Sequence, residues 1–359
     1  MERVAIVGAG AAGAATAFAL RDAAVDVTVF EARQTPSGRA ATRHRDGCTY
    51  DCGANYVRGG DERVAELVTG TLDDDGLVDV AAPVWTFDAA GTVGEGDDRD
   101  DHKWTWEQGI DQFARRLLDR ADAAVRYRTR VVGLDRTADS RWRVRETDGA
   151  AAGAFDAVVA TPPAPRTADL LAASDWDDPL RERLVAAARG VPFRGIYSVL
   201  LHYPFELDRP WYALVNTDHE HEIGWLSREE CKRGHVPPGE SLLVVQMAPD
   251  WSADRDVAAA RGDPAHCPAS VTADAAALTA DLLDDERLAS PDWTDCAAWQ
   301  YALPDGGPDA DLLRAVESHG LYCAGDWVTG DGRVHLAAGT GLAVGERVRA
   351  AARDQGRST

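Results

Sequence analysis

The segment Val4–Glu31 constrains the fold of this chain more than any other, because it combines an apolar strand, a glycine-rich turn, a helix and a second strand. The run Val4–Val7 is continuously apolar, as expected of a parallel strand that is covered on both faces. It leads directly into Gly8, Gly10 and Gly13. In this spacing the first glycine permits a tight turn, the second lets a pyrophosphate approach the backbone, and the third lets the helix pack against its strand. The segment therefore predicts a dinucleotide site.

The helix after the glycine turn and the tip of the second strand supply the other expected contacts to the dinucleotide. The amides around Ala12 are expected to bind phosphate, because a helix N-terminus offers free N–H groups and a favourable dipole. The second strand, Val25–Phe30, ends on Glu31. An acid roughly 20 residues after the glycine turn accepts hydrogen bonds from the ribose hydroxyls in such sites. Ala32 and Arg33 follow at the same tip and are included in the predicted cofactor site.

Length and composition bound the class of protein. With 359 residues and 45% hydrophobic content, the chain has room for two domains, or for one domain with a large insertion, around a real core. No segment approaches the roughly 20 apolar residues of a membrane span, and Met1 leads straight into the first strand, so a soluble cytoplasmic protein is expected. The net charge of -22 argues against nucleic acid as a partner.

The charged residues are strongly biased in type. Only Lys103 and Lys232 are lysines among 38 basic residues, and aspartate dominates the acids. This bias resembles the proteins of salt-loving archaea, in which salt screens the repulsion between dense carboxylates.

The cysteines show no metal-binding or disulfide spacing. Cys48 and Cys52 are placed to share one strand face, but a chain without a secretion signal favours reduced, buried thiols. We therefore expect free thiols and predict no metal site. The six cysteines are Cys48, Cys52, Cys231, Cys267, Cys296 and Cys323.

A family resemblance emerges at the residues after the second strand. Gly38 and Arg39 form a turn that brings a cation to the pyrophosphate. Together with the glycine turn and the strand-end acid, this pair resembles the flavoprotein group that includes the amine oxidases. The segment Tyr50–Tyr56 resembles the Asp-x-Gly-Ala-Gln-Tyr run of its renalase-like branch, with Asn in place of Gln. The alternative is an ordinary edge strand. The resemblance implies that the segment runs under a flavin ring, with contacts from Gly53, Asn55 and Tyr56.

The resemblance also implies cofactor contacts later in the chain. It places the backbone of Val131 against the adenine, and it makes Asp326, after Gly325, the acceptor for the ribityl hydroxyls. Gly341 and Leu342 belong to a helix start whose amides favour negative charge on the flavin. The implied cofactor is FAD, bound noncovalently, because no cysteine lies in a family-type attachment motif.

The predicted substrate pocket depends on a run near the end of the chain. Trp299 and Tyr301 match the family's Trp-x-Tyr-Ala-x-Pro run, and their spacing of two predicts that they lie on one side of a strand and stack on substrate. Tyr56, Trp225 and His335 complete the predicted pocket. His335 stands where the family usually has Glu, so no residue is identified as a catalytic acid or base.

These observations predict an α/β fold: a Rossmann-like FAD-binding domain, discontinuous in sequence, with an inserted mixed-sheet α+β substrate domain. We assign residues 1–60, 102–163 and 318–359 to the first domain and residues 61–101 and 164–317 to the second.

The predicted function is that of a renalase-like, FAD-dependent oxidoreductase. Hydride passes from a small substrate, an NAD(P)H-related dihydronicotinamide nucleotide isomer, to flavin N5, and dioxygen is the acceptor. Two alternatives stay open: an amine oxidase that acts on primary or secondary amines, and a non-catalytic flavin-binding protein.

Overall fold

The computed structural model describes residues 2–97, 102–147, 149, 151–260 and 267–358. The strands are β1 Glu2–Val7, β2 Val25–Phe30, β3 Thr42–Arg45, β4 Cys48–Asp51, β5 Val57–Arg58, β6 Leu77–Asp79, β7 Val84–Phe87, β8 Val93–Gly94, β9 Lys103–Trp106, β10 Ala123–Arg126, β11 Val131–Arg136, β12 Trp142–Glu146, β13 Ala151–Phe155, β14 Ala157–Ala160, β15 Phe193–Tyr203, β16 Ala213–Asn216, β17 Ile223–Arg228, β18 Ser241–Met247, β19 Trp293–Pro304 and β20 Leu321–Cys323. The helices are α1 Ala11–Ala19, α2 Glu62–Glu66, α3 Gln112–Asp119, α4 Ala164–Ala172, α5 Pro179–Arg189, α6 Pro249–Asp254, α7 Ala269–Leu283, α8 Ala310–Glu317, α9 Asp326–Thr329 and α10 Val334–Ser358.

A parallel sheet in the order β10-β2-β1-β14-β20 forms the nucleotide half of the molecule. Its central strand β1 is buried on both faces, as its apolar run predicts. Val4 and Ile6 contribute to one core cluster with helices α1, α3 and α10, whereas Ala5 and Val7 contribute to a second cluster that contains Trp142. The β1–α1–β2 unit is therefore a Rossmann-like unit, as expected.

A seven-stranded sheet has the order β19-β15-β18-β17-β16-β7-β8. We call this part of the molecule the substrate half, because the sequence predicts that it binds substrate. The pairings are antiparallel except for β16 with β7, so the sheet is mixed, as predicted. Helix α7 covers one face through Val271 and Ala275. The strand β7 comes from the segment 61–101, whereas β5, β6 and β9 form a separate small sheet. The exact domain boundaries stay a prediction.

The expectation of six free thiols is wrong for one pair. Cys296 on β19 and Cys267, just before α7, form a disulfide with a Cα–Cα distance of 5.9 Å. The two residues are 29 positions apart in sequence, and only the packing of α7 near β19 brings them together, so their spacing carried no signal. The free cysteines are Cys48, Cys52, Cys231 and Cys323.

In the described part of the chain, no helix is both long enough and apolar enough to cross a lipid bilayer.

Candidate functional site

The glycine turn after β1 has the tight packing that its sequence predicts. Gly8 has φ of 101°, and a Cβ on it would lie 2.6 Å from Thr161 Oγ1. A Cβ on Gly13 would lie 1.9 Å from the Gly8 carbonyl oxygen, so α1 and β1 approach too closely for any side chain there. A Cβ on Gly10 would meet Ser37 O at 3.9 Å and is otherwise unobstructed. The turn therefore has a closed side, made by the protein, and an open side at Gly10.

Within the described residues, no side chain caps the N-terminus of α1, where Gly10 is the N-cap residue, and the first turn of the helix contains no acid. Its amides are thus available to an anion, which fits the pyrophosphate of a dinucleotide. The last helix packs directly against this one, because a Cβ on Gly341 would lie 2.2 Å from the carbonyl oxygen of Ala12. Leu342 is buried in the same contact.

Glu31 is buried at the tip of β2, and both of its carboxylate oxygens are fixed. Oε2 accepts from Ala9 N at 2.8 Å, and Oε1 accepts from Arg33 N at 2.8 Å. The amide of Thr129 donates to Glu31 O at 2.8 Å, which brings the segment before Val131 to the same tip. Ala32 is exposed at this tip. The predicted ribose and adenine residues therefore lie together beside the glycine turn.

Arg39 connects the nucleotide half to the end of the chain. Gly38, with φ of 60°, lies against Gly10, whereas the Arg39 guanidinium turns to other elements. Its Nη2 lies 2.7 Å from Asp326 Oδ1, and its Nη1 donates to the carbonyl of Ala302 at 2.8 Å. Asp326 is buried behind Gly325, which has φ of 141°. The predicted contact of Arg39 with the pyrophosphate stays a prediction.

The segment Cys52–Tyr56 is held by the backbone of Arg39 and by side chains of the substrate sheet. A Cβ on Gly53 would lie 2.0 Å from Arg39 O and 3.2 Å from Trp299 Cζ2. Trp299 is only 6% exposed, and its indole N–H donates to Cys52 O at 2.8 Å. The Gly53 carbonyl accepts from Gln246 at 2.8 Å, and Asn55 Oδ1 accepts from Ser227 at 3.3 Å. The structure thus fixes the backbone that the sequence assigns to the flavin.

Tyr56 and Trp225, two of the predicted pocket residues, lie together in a group of three rings. With Tyr212 they form ring-to-ring contacts of 6.3 to 6.4 Å between centroids. Within the described residues, the buried Tyr212 hydroxyl and the Trp225 indole nitrogen have no hydrogen-bond partner.

The placement of Trp299 and Tyr301 on one side of a strand stays a prediction, because β19 is irregular at these residues. The ladder between β15 and β19 is irregular between Trp299 and Leu303, so the alternation that a spacing of two assumes is interrupted. The Tyr301 ring contacts Phe193 at 5.7 Å and the Arg166 guanidinium at 5.3 Å, whereas Trp299 lies under Gly53.

His335 lies in the first turn of α10 and is 7% exposed. A Cβ on Gly60 would lie 3.2 Å from its Nε2, and its buried Nδ1 has no hydrogen-bond partner in the part of the chain that the structure describes. Burial, followed by Arg58 and Arg333, lowers the pKa of this imidazole. His335 is therefore neutral near pH 7.

A fully buried ion network, which the sequence did not reveal, lies between β4 and the substrate sheet. Lys232 Nζ lies 2.8 Å from Asp51 Oδ2 and 2.7 Å from Glu229 Oε1, and His235 Nδ1 lies 2.8 Å from Glu229 Oε2. All four side chains are 0% exposed. Asp51 also accepts from Thr42 and from the amide of Ile110. We call Asp51, Glu229, Lys232 and His235 the buried ion network.

The charges of this network compensate one another. Burial alone would raise the pKa of Asp51, but Lys232 and His235 outweigh it and hold that pKa below its usual value. Burial would lower the pKa of Lys232 and of His235, but the neighbouring carboxylates raise both. Two anions thus face two cations. The sequence feature that could have indicated the buried ion network is Lys232, one of only two lysines in a chain that otherwise uses arginine.

Comparison with known proteins agrees with this geometry. Residues 6–70 match an NAD(P)-binding Rossmann-like domain, and residues 86–349 match the family described as flavin containing amine oxidoreductase. Over 76 residues, which are 21% of this chain and 14% of the relative, the sequence is 40% identical to protoporphyrinogen oxidase 2 of Arabidopsis thaliana. The chain thus spans only a small part of that relative.

Solved structures show the same fold over nearly the whole chain. A structure described as a protoporphyrinogen oxidase of Exiguobacterium sp. 255-15 is 15% identical with a TM-score of 0.72, and the match covers 97% of this chain and 98% of that one. Putrescine oxidase bound to putrescine is 13% identical with a TM-score of 0.69, over 97% and 99% of the two chains. From its glycine turn and the family match over most of its length, the chain belongs to the flavin-containing amine oxidoreductases and is an FAD-dependent oxidoreductase.

Proposed function

We propose that this enzyme oxidises an uncharged or anionic reduced compound, of the dihydronicotinamide nucleotide class, and not a protonated amine. FAD, when bound, supplies the two-electron acceptor for a hydride from the substrate carbon, and dioxygen is the proposed final acceptor. The protein supplies orientation, a stacking surface and the electrostatic selection of the substrate.

The observation that carries the proposal is the arginine beside each of three predicted pocket residues. The contacts are Arg33 at 5.8 Å from the Trp299 ring centroid, Arg166 at 5.3 Å from the Tyr301 ring centroid, and Arg58 near His335. Arg333 also lies near His335 and pairs with Asp331 at 3.2 Å, and Arg166 pairs with Asp169 at 3.9 Å. Arginines attract phosphate and repel ammonium, so they favour a nucleotide over an amine.

His335 supports the same choice of substrate. A neutral imidazole can form a hydrogen bond with an uncharged polar group such as a carboxamide. It provides no negative charge for an ammonium group, in contrast to the Glu that the resembling family usually has at this position.

The amine oxidase alternative is supported by a different observation. The rings of Tyr56, Tyr212 and Trp225 form a compact aromatic group, and aromatic faces attract cations. Putrescine oxidase also shares the fold. This reading predicts reduction of the flavin by amines.

Anaerobic mixing separates these readings through the loss of oxidised flavin absorbance. We expect reduced nicotinamide mononucleotide isomers to bleach the flavin, the matching nucleosides without phosphate to do so more weakly, and putrescine and other amines to have no effect. The Arg166→Met variant should lose most of the preference for the nucleotide over the nucleoside, whereas Arg189→Met, on the exposed face of α5, should keep it. Bleaching by amines alone would establish the alternative, and no bleaching by any compound would favour a non-catalytic flavin protein.

A further inference from the structure

A second group of chemically reactive side chains lies at the opposite end of β4 from Asp51. Cys48 at the start of β4, His202 on β15 and Glu240 just before β18 bring one sulfur, one nitrogen and one oxygen atom within 4.8 Å of one another. Cys48 and His202 are buried, and the Glu240 side chain is 34% exposed. The three residues come from three separate elements, so the fold itself assembles the group.

The His202 ring is held in a fixed orientation. It stacks on Trp293 with 4.8 Å between ring centroids and an interplanar angle of 4°. Its Nε2 faces Glu240 Oε2 at 2.9 Å. Its buried Nδ1 lies 3.6 Å from Asp292 Oδ2 and has no hydrogen-bond partner among the described residues. A histidine with one nitrogen toward other ligands and the second toward a carboxylate is the usual arrangement around a bound zinc ion.

The charges around Cys48 also favour a cation. Asp46, Glu230 and Glu240 all lie near its thiol. Thiolate, imidazole and carboxylate together suit Zn²⁺, whereas a thiolate excludes the hard ions Mg²⁺ and Ca²⁺. Zinc bond lengths of about 2.0 to 2.3 Å place tetrahedral ligand atoms about 3.3 to 3.6 Å apart. The observed group therefore needs only small side-chain movements to reach this geometry.

The other group with metal-ligand atoms at close distance provides a contrast. Asp51, Glu229 and His235 also lie within 4.8 Å of one another, but the Lys232 ammonium contacts both carboxylates there. That group already contains its cation. At Cys48, His202 and Glu240 the nearby carboxylates are Asp46, Glu230 and Glu240, and the neighbouring cation Arg45, opposite Cys48 in the ladder, pairs with Asp46 at 3.2 Å.

We propose that Cys48, His202 and Glu240 bind a zinc ion, with Asp292 orienting His202 and a water molecule completing the coordination. The ion joins β4 to the substrate sheet at one end of the strand, while Asp51 and Lys232 join them at the other end. Because β4 runs directly into Gly53, zinc supports the backbone beneath the predicted flavin position without taking part in the chemistry.

The test is zinc binding by the purified, FAD-loaded full chain after dialysis against metal-free buffer. We expect one zinc per chain by elemental analysis, and a melting temperature that rises when zinc is restored. Cobalt(II) in place of zinc should give tetrahedral d–d absorption at longer wavelengths than the flavin absorbs. Cys48→Ser and His202→Gln should abolish this signal, and Asp292→Asn should weaken binding about 10- to 100-fold.

The controls are Cys231→Ser, which removes a partly exposed thiol, and His235→Gln, which alters the buried ion network; both should keep the zinc. Should Cys48→Ser or His202→Gln fold poorly, the partly exposed Glu240→Gln still tests the site and should lower zinc affinity at least tenfold. Zinc binding that is absent from the parent chain, or equal in the parent and in Glu240→Gln, would overturn the proposal.

Discussion

The nucleotide half and the substrate half of this enzyme build their sites in opposite ways. The nucleotide half uses backbone: three glycines, the free amides of α1 and one acid, all within Gly8–Glu31. The substrate half uses side chains from strands that are far apart in sequence, as in the contact of Trp299 with Cys52. A backbone site is specified locally, whereas a side-chain site exists only after the sheets have paired. Substitutions in the backbone site are therefore expected to act through steric overlap. Substitutions in the side-chain site are expected to act through the loss of hydrogen-bond and packing partners.

The largest effect should come from the network that joins the two halves. Lys232→Met removes the cation that contacts both Asp51 and Glu229, so the buried network keeps two carboxylates but only the cation of His235. This should cost about 3 to 5 kcal/mol in the free energy of unfolding, measured by urea denaturation. Arg228→Met provides a control, because Arg228 is also buried on the substrate sheet but contacts Glu230 and the carbonyls of Arg209 and Trp211, all within the substrate half.

Both variants should lose stability, but only Lys232→Met should also alter the flavin absorption spectrum, since it alone frees the strand that leads to Gly53. Identical spectra in the two variants would show that the network does not couple the halves.

The next effect tests the backbone site by close contact. Gly13→Ala places a methyl group 1.9 Å from Gly8 O, so we expect a loss of about 3 kcal/mol in stability and little bound FAD, measured by released flavin per chain. Gly70→Ala is the matched control, because a Cβ on Gly70 meets nothing within 4 Å. A Gly13→Ala protein with full FAD content would refute the close packing of α1 on β1.

Removal of the strand-end acid should have a smaller effect. Glu31→Ala removes the predicted acceptor for the ribose hydroxyls together with the acceptor for the amides of Ala9 and Arg33, which shape the turn. It should weaken FAD binding by about 1 to 3 kcal/mol, measured by equilibrium titration of the apoprotein. Glu31→Gln keeps an acceptor oxygen and should weaken it less. Equal affinity in all three proteins would assign the ribose to another residue.

In the substrate half, Trp299→Phe should lower stability by about 1 kcal/mol, because Cys52 O loses its donor. Trp299→Leu loses the same donor and the aromatic face as well. If Trp299 stacks on the substrate, flavin reduction should be up to about tenfold slower in the Leu variant than in the Phe variant, given the usual value of about 0.5 to 1.5 kcal/mol for stacking. Equal reduction rates would assign Trp299 to structural support alone.

The smallest effect is a pH dependence of the joining network. The folded pKa of His235 is raised above 6.5 by Glu229, against the effect of burial. Its contribution to stability is therefore complete below pH 6.5 and is lost as pH rises through the raised value. The stability difference between the parent and His235→Gln should shrink as the pH rises above 6.5. A constant difference would show that His235 does not change protonation there.

The same contrast explains how much the sequence predicted. The strand β1, the glycine turn and Glu31 were predictable, because each is a local pattern with a direct steric or hydrogen-bonding cause. The mixed sheet was also predictable in outline. The irregular ladder at Trp299, the disulfide of Cys296 and the partners of Lys232 were not, since each depends on the pairing of distant strands. The roles assigned to the pocket residues and to Arg39 stay predictions.

The contact between the two helices α1 and α10 has a consequence for the synthesis of the protein. Thr16 Oγ1 on α1 donates to Gly341 O across 325 residues of sequence. A ribosome therefore releases the whole glycine turn long before the helix that covers it exists. Early domains usually fold first during translation, but here the apolar side of α1 must wait for almost all of the chain. Cofactor loading is consequently a late step, and a nascent chain interrupted before α10 has no complete pocket to fill.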